Sequence, residues 1–327
     1  MRRLACLWMT CLVTAWACSA VAQEEIMDPA EAAKDPDFHV QGEYLGEAAH
    51  PDDEEQIVRI GAQVVALGEG QFQAVLYGGG LPGDGWERGD RRFTIEGTAE
   101  KLEGERLVGS IAEGVLTLAD REGRTRAELN RVVRESPTLG KEPPEGARVL
   151  FDGTNADKWD PPRLTELGTL HAGVVSKPAF NSYKLHLEFY TSWMPHARGQ
   201  ARANSGVYVF DTYEIQVLDS FGQEGRHYDC GGIYSIRDPD VNMTFPPMQW
   251  QTYDIDFTAP QFDEEGNKIA NARITVKHNG VVIHDDFELP HGTPGRQDEG
   301  PGPRPIHLQE HGNKVQYGNI WLVEKDD

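Results

Sequence analysis

The stretch that decides the fold runs from Asn204 to Gly222 and reads NSGVYVFDTYEIQVLDSFG. It contains two short runs rich in Val, Tyr, Phe and Ile, which favour β-strands, and no apolar repeat of helical period. Because side chains alternate across a strand, Glu214 and Gln216 share one face. The apolar Tyr213, Ile215 and Val217, which alternate with them, share the other. Taken alone, this polar face is most simply the solvated side of an antiparallel sheet.

Strand patterns continue on both sides of this stretch. Residues 183–190 alternate between apolar and polar side chains, and Asn279-Gly280 joins two further apolar runs in the manner of a type I′ hairpin turn. No segment requires a helix of ordinary length. We therefore predict an all-β protein in which residues 148–327 form a two-sheet β-sandwich.

The first half of the chain predicts a second, smaller unit. Short β-like runs occupy residues 40–135, and Gly68-Glu69-Gly70 lies between two of them as a hairpin turn. We expect a small antiparallel β-domain there and assign it no chemistry. Residues 136–147 contain three prolines and two glycines, which disfavour both helix and strand, so they form the natural linker.

The N-terminus has the features of a secretory signal peptide over residues 1–22. Arg2 and Arg3 precede a short apolar core, and Ala20-Val21-Ala22 provides a cleavage site. Residues 23–39 then form an acidic tether. We expect an exported protein, periplasmic or extracellular, and lipid attachment at Cys18 is the less favoured alternative. No other apolar run is long enough to span a membrane.

Charge and cysteine content narrow the classes of partner. The chain has 31 Lys and Arg against 53 Asp and Glu, a formal net charge of −22. Such a charge disfavours nucleic acid and anionic membranes as partners and favours neutral or cationic ligands. Only Cys230 follows the predicted signal peptide, which excludes an internal disulfide and a cysteine metal cluster. We interpret Cys230 as a small buried hydrophobic residue.

The segment PIHLQEH at residues 305–311 carries two histidines in a strand-like pattern. Alternation predicts that His307, Gln309 and His311 lie on one face, where imidazoles and an amide can bind hydroxyl groups. Two side chains four residues apart on a strand are roughly 13 Å apart, too far to share one ion. We therefore predict no metal at this pair and no required cofactor, and the sequence leaves open a structural Ca²⁺ in a loop.

Seven short motifs follow one another along the second half of the chain. They are LFDG at 150–153, NSGVY at 204–208, YEIQVLD at 213–219, GGIY at 231–234, QW at 249–250, NGV at 279–281 and LQEHG at 308–312. Together they resemble the 3-keto-disaccharide hydrolase domain family over roughly residues 149–323. The resemblance implies a concanavalin-like jelly roll whose concave sheet holds a sugar, and action on glycosides oxidised to a ketone at C3.

The resemblance also implies a chemistry for the polar face. A C3 carbonyl acidifies the C2 hydrogen, so one base can remove it while a fixed donor stabilises the enolate. The C1 substituent then leaves and water adds back. On this interpretation Glu214 or His311 is the base and Arg202 is the enolate donor. The predicted substrate-binding residues are Asn204, Tyr208, Gln216, Asp219, Tyr234, Trp193, Trp250, His307 and Gln309.

Two other functions remain open from the sequence. Retaining glucanases on similar sandwiches use Glu-x-Asp-x-x-Glu, and Glu214-x-Gln216-x-x-Asp219 has the same spacing. Gln216 replaces the central acid of that pattern, which disfavours this alternative. The same polar and aromatic surface would also serve a carbohydrate-binding module without catalytic activity.

Overall fold

The computed structural model describes residues 25–50 and 53–325, so the predicted signal peptide at 1–22 lies outside the described residues. The predicted tether contains two short helices, α1 at Pro29–Ala32 and α2 at Pro36–Val40. Each begins with an aspartate cap and a proline, because the cap accepts a free backbone N–H and proline has none to satisfy. A 3₁₀ turn lies at Gly199–Ala201.

The small N-terminal domain is a closed antiparallel barrel of eight strands. In order around the barrel they are β1, β10, β9, β8, β7, β6, β3 and β2. Among the described residues, closure pairs every strand of the barrel with a neighbour on each side. The barrel strands are β1 Gly42–His50, β2 Asp53–Gly68, β3 Gln71–Gly78, β6 Arg92–Thr98, β7 Lys101–Glu103, β8 Leu107–Ala112, β9 Val115–Asp120 and β10 Thr125–Val132; between β3 and β6, β4 Leu81–Pro82 and β5 Gly85–Trp86 pair with each other.

The linker is docked over its first half. Ser136 is buried and its hydroxyl bonds to that of Thr252 at 2.6 Å, and the Gly140 amide donates to Glu188 at 2.6 Å. Residues 141–146 are exposed. The Lys141 carbonyl also accepts from Asn319 at 3.0 Å and from Trp321 at 3.1 Å, so the linker is held on the sandwich surface up to residue 141.

The C-terminal domain is a two-sheet sandwich, as the strand patterns predict. The larger sheet has the order β11, β24, β15, β18, β21 and β22, with β13 also paired to β24, and the smaller has the order β12, β14, β23, β16 and β17. The strands are β11 Arg148–Phe151, β12 Trp159–Asp160, β13 Leu170–His171, β14 Val174–Ser176, β15 Tyr183–Tyr190, β16 Ser205–Val209, β17 Tyr213–Val217, β18 Trp250–Thr258, β19 Gln261–Phe262, β20 Lys268–Ala270, β21 Ala272–His278, β22 Val281–Leu289, β23 His307–Leu308 and β24 Gln316–Glu324.

One apolar core lies between the two sheets. Tyr213, Ile215 and Val217 of β17 point into it, as alternation predicts, together with Val207 of β16 and Leu308 of β23. The other face of the smaller sheet is therefore free to carry polar residues. Cys230 is also buried in this core, as expected, and burial raises the pKa of its thiol to about 11.

The barrel packs directly against the sandwich. Trp193 and Tyr190 belong to the same buried cluster as the barrel interior, and the indole N–H of Trp193 donates to Asp35 at 3.0 Å. In the described part of the chain, no helix has the length and apolar character needed to cross a membrane.

Candidate functional site

Three polar side chains form a row across the outer face of the smaller sheet. In the strand register, His307 of β23 is opposite Tyr208 of β16, and Tyr208 is opposite Glu214 of β17. Directly paired residues on neighbouring strands have side chains roughly 5 Å apart. Tertiary pairing therefore brings together an imidazole, a phenol and a carboxyl group from two distant parts of the chain.

Glu214 lies at one end of this row, and its carboxyl group has the environment of a base. Its side chain is almost fully buried, at 2% exposure, and Oε2 accepts a hydrogen bond from the Tyr208 hydroxyl at 2.8 Å. Burial raises the pKa of the Glu214 carboxyl to about 7, and the bond from Tyr208 opposes this only in part. A carboxyl group that titrates near neutrality can accept or donate a proton under physiological conditions.

A second row lies beside the first and is made of amides. Gln309 and Gln216 flank Gly206: the Gly206 carbonyl accepts from the backbone N–H of Gln309 at 2.8 Å, and Gly206 is opposite Gln216 in the register. Gly206 leaves room for the Glu214 carboxylate, because a Cβ atom there would overlap it. The missing side chain thus allows Glu214 to lie across β16.

Residues 290–297 form a wall over the first row, that of His307, Tyr208 and Glu214. The Thr293 hydroxyl accepts from the Glu214 amide at 2.9 Å, and the Pro294 carbonyl accepts from Tyr208 at 3.0 Å. Arg296 pairs with the buried Asp211 at 2.6 Å, and its side chain is 28% exposed. The wall therefore brings a partly accessible cation to the edge of the row.

Three buried polar atoms around the row have no hydrogen-bond partner among the described residues: Asn204 Oδ1, Gln309 Oε1 and His307 Nδ1. Burial, assisted by the positive charge of Arg296, lowers the pKa of His307 to about 4, so its imidazole is neutral at neutral pH. Buried polar atoms are normally bonded, and an unbonded group is costly. Three of them together are suited to a ligand rich in hydroxyl groups.

The structure brings several predicted site residues together. Glu214, Gln216, Tyr208, His307 and Gln309 share the outer face of the smaller sheet. Tyr234 is half-buried near them, with its amide donating to the Glu214 carbonyl at 3.1 Å. Asn204 lies at the start of β16, and its amide nitrogen bonds to the carbonyl of Gln200 at 2.9 Å.

His311 does not share this face. The expected strand at 305–311 is too long, because β23 ends at Leu308 and the chain then turns. His311 is exposed in that turn. We therefore retain Glu214 as the candidate base.

The two tryptophans predicted to stack on a sugar lie elsewhere. Trp193 is fully buried between the barrel and the sandwich. Trp250 begins β18 in the larger sheet and packs on Tyr190 with ring centroids 5.2 Å apart. Neither ring lies on the sheet face that carries Glu214.

Arg202 and Asp219 form a buried ion pair at the contact between the sandwich and the barrel. Nε of Arg202 is 2.6 Å from Asp219 Oδ2, and the two side chains are 5% and 1% exposed. The other guanidinium nitrogens point to the barrel, at the Ala66 carbonyl and Gln41. The expected enolate donor thus belongs to the contact between the domains.

Arg296 and Thr293 are absent from the sequence-based prediction. They lie in a segment rich in Gly and Pro, HGTPGRQ at 291–297, which follows a strand and has the composition of an ordinary loop. Only their position over β17 gives them significance.

Among the described residues, no group of three or more His, Cys, Asp or Glu side chains is arranged to hold a metal ion.

Comparison with solved structures finds proteins that are similar to part of this chain. Two crystal structures are each described as a candidate glycosyl hydrolase from Parabacteroides distasonis ATCC 8503. The first is 29% identical, with a TM-score of 0.51, and the match covers 56% of this chain and 85% of that chain. The second is 17% identical, with a TM-score of 0.41, and the match covers 60% and 99%. Only the first is similar enough to support a shared fold.

Comparison with curated protein sequences gives no match. A family model described as a 3-keto-alpha-glucoside-1,2-lyase-like domain matches residues 146–323. This range agrees with the one over which the seven motifs resemble the family, and that resemblance is confirmed. Because the matched segment spans more than half of the chain, this protein belongs to the family of 3-keto-alpha-glucoside-1,2-lyase-like domains.

Proposed function

We propose that this chain, a carbohydrate-active enzyme of the glycoside hydrolase type, cleaves 3-keto-glycosides by removing the proton at C2. The C3 ketone makes that proton acidic, and the resulting enolate expels the C1 substituent. Water then adds to the unsaturated product. The reaction needs one base and a stabilised oxyanion, and it forms no covalent intermediate.

The observation that carries this proposal is the environment of Glu214. Its carboxyl group is buried, its pKa is raised to about 7, and it lies beside the Tyr208 hydroxyl, on the sheet face that also carries the unpartnered atoms of His307 and Gln309. A base that titrates near the working pH combines a useful ionised fraction with a strong driving force for proton abstraction. The half-buried His307, Gln309 and Tyr234 form the solvent-facing rim of this site.

Arg296 is the best candidate for stabilising the enolate. Burial raises the pKa of the Tyr208 hydroxyl and lowers that of His307; the charge of Arg296 opposes the first shift and adds to the second, so Arg296 is close to the row. Its side chain remains partly accessible, unlike the guanidinium of Arg202. Cationic donors held near a developing oxyanion are among the strongest contributions to catalysis.

The retaining-glucanase alternative requires a second carboxylate about 5–5.5 Å from the first, free to act as an acid or a nucleophile. Asp219, which has the matching sequence spacing, is buried and bonded to Arg202. Elimination needs no second carboxylate, so the arrangement favours it. Export to the periplasm or the extracellular space remains part of the proposal and rests on residues 1–22.

Isotope exchange tests the reaction. The protein is incubated in D₂O with a 3-keto-disaccharide and, separately, with the same disaccharide before oxidation. We expect cleavage of the keto sugar alone, with deuterium at C2 of the product. Cleavage of the unoxidised sugar without exchange at C2 would instead support the glucanase, and binding of either sugar without turnover would support a carbohydrate-binding module.

The rate should depend on pH through Glu214. The base must be ionised to take a proton, so kcat/KM should rise about tenfold per pH unit on the acid side and level off above a midpoint near 7. An ordinary glutamate, ionising near 4.5, would give a flat profile over the same range. The measurement is kcat/KM for the keto sugar from about pH 5 to about pH 8.

Gly206→Ala should displace the base while preserving the fold. The backbone of Gly206 does not have a positive φ, so alanine is compatible with it, and the overlap falls on the movable end of Glu214. We expect a loss of roughly tenfold to a hundredfold in kcat/KM, because small displacements of a reacting group are costly. Thermal unfolding should change little, and an unaltered rate would contradict the assigned position of the carboxylate.

A further inference from the structure

The segment that leads into β16 is held by the barrel. Arg198 Nη2 donates to the Leu67 carbonyl at 2.7 Å, and Arg202 donates to the Ala66 carbonyl at 3.3 Å. Gly68, at the end of β2, lies directly against His196. Residues 66–70, the end of β2 and its turn into β3, are called the β2–β3 turn below, and they contact residues 196–202 at three places.

The same segment extends to the polar face of the smaller sheet. Gln200 Oε1 accepts from Asn204 and from Gln216, both at 3.1 Å, and Gln200 Nε2 donates to the Tyr228 carbonyl at 2.7 Å. Gln200, Asn204 and Gln216 are called the amide cluster below. Gln216 follows Glu214 by two positions on β17, so the cluster lies roughly 7 Å along the strand from the base.

The amide cluster has a free acceptor. Asn204 is 1% exposed, and its Oδ1 atom has no partner among the described residues, although both of its neighbours in the cluster are bonded. Gln200 is half-buried, and Tyr228, whose carbonyl accepts from it, is 44% exposed, so the Gln200 side of the cluster borders on solvent. An unpartnered amide oxygen beside an accessible aromatic residue suits a sugar hydroxyl.

We propose that the barrel is a positioning domain for the active site, whose β2–β3 turn fixes residues 196–204 so that the amide cluster binds substrate hydroxyls. This inference rests on the proposed function for the identity of the ligand. It assigns a role to residues outside the family match, and it makes Gly68 a positioning residue that never touches the substrate.

Two glycines of the same turn provide a matched pair of variants. Gly68 and Gly70 have φ values of 86° and 72°, so alanine at either position introduces similar backbone strain. A Cβ atom at Gly68 would overlap the His196 ring, whereas nothing lies within 4 Å of one at Gly70. Gly68→Ala therefore forces the exposed His196 side chain, in the segment that carries Gln200, to move, whereas Gly70→Ala does not.

Binding is measured in a Glu214→Gln background, so that the 3-keto-disaccharide used as the probe is not cleaved. We expect Gly68→Ala to weaken binding roughly threefold to tenfold, the effect of disturbing about one hydrogen bond. Gly70→Ala should bind as its parent does. Amide hydrogen exchange over residues 196–204 should accelerate in Gly68→Ala only, which reports the positioning independently of any sugar.

The outcomes separate this inference from the proposed reaction. Equal losses of affinity in both variants would overturn it, since strain alone would explain them. Faster exchange without weaker binding would also overturn it, because the segment would then not contribute to binding. Selective weakening in Gly68→Ala supports it even if the native chain binds the keto sugar without cleaving it, a result that would overturn only the reaction.

Discussion

Replacing Glu214 with glutamine is expected to lower the rate of 3-keto-glycoside cleavage by about 10²–10⁴-fold, the usual effect of losing a general base. Glutamine has nearly the same shape, and its carbonyl oxygen can still accept the hydrogen bond from Tyr208. The fold should therefore persist, and deuterium exchange at C2 should disappear together with cleavage. A loss of less than about tenfold would show that another group removes the proton.

The same substitution should change the pH dependence of stability. The Glu214 carboxyl ionises near 4.5 when unfolded and near 7 when folded, so the folded state binds more protons between these values. The stability associated with its protonated form is complete below about pH 4.5 and is lost as the pH rises through about 7. Relative to its parent, Glu214→Gln should therefore become more stable from about pH 5 to about pH 8.

Urea unfolding across this pH range measures that difference. Far-ultraviolet circular dichroism follows the unfolding of both domains. The comparison therefore uses the urea midpoints of Glu214→Gln and of the native chain, measured at the same pH. Gln216→Glu is not a suitable control because it adds a second carboxyl to the face. A constant difference in stability across the range would contradict a buried carboxyl that titrates near neutrality.

Replacing Asp219 with alanine should cost about 3–5 kcal/mol of stability, because it leaves the Arg202 guanidinium buried without its counter-ion. The remaining contacts of Arg202, to the Ala66 carbonyl and Gln41, do not neutralise that charge. Since both contacts join the sandwich to the barrel, we expect the two domains to separate more easily. Denaturant unfolding and limited proteolysis measure these effects.

A paired substitution distinguishes this structural role from a catalytic one. Arg202→Met combined with Asp219→Leu removes both charges and should recover much of the stability lost by Asp219→Ala. If Arg202 instead stabilised the enolate, the double variant would fold well and still lose roughly 10²–10³-fold in kcat. Arg296→Gln should lower kcat, and it should also cost stability because it leaves the buried Asp211 without its counter-ion.

The local pattern of the sequence determined the strands and their faces. The alternation from residue 213 to 217 predicted which side chains of β17 enter the core, and Tyr213, Ile215 and Val217 do so. That prediction succeeds because the direction of a side chain on a strand depends only on its neighbours in the chain. The motifs likewise predicted the family, which the match over residues 146–323 confirms.

Only the tertiary structure decided which polar residues meet. The row of His307, Tyr208 and Glu214 exists because β16 pairs with both β17 and β23, and β23 lies about a hundred residues further along the chain. The sequence pattern overstates the length of β23, and with it the position of His311, because the pairing with β14 ends at Val174 and Leu308, which no local pattern reveals.

The assignment of aromatic and charged residues also required the fold. A tryptophan has the same sequence signature whether it lies on a sugar-binding face or within a contact between domains, and Trp193 lies in the contact. Arg202 likewise pairs with Asp219 and donates a hydrogen bond to the Ala66 carbonyl of the barrel, and no local sequence pattern reveals either contact. Sequence alternation determined the face that Glu214 occupies, whereas burial by distant segments raised its pKa, because desolvation depends on every element packed around a group.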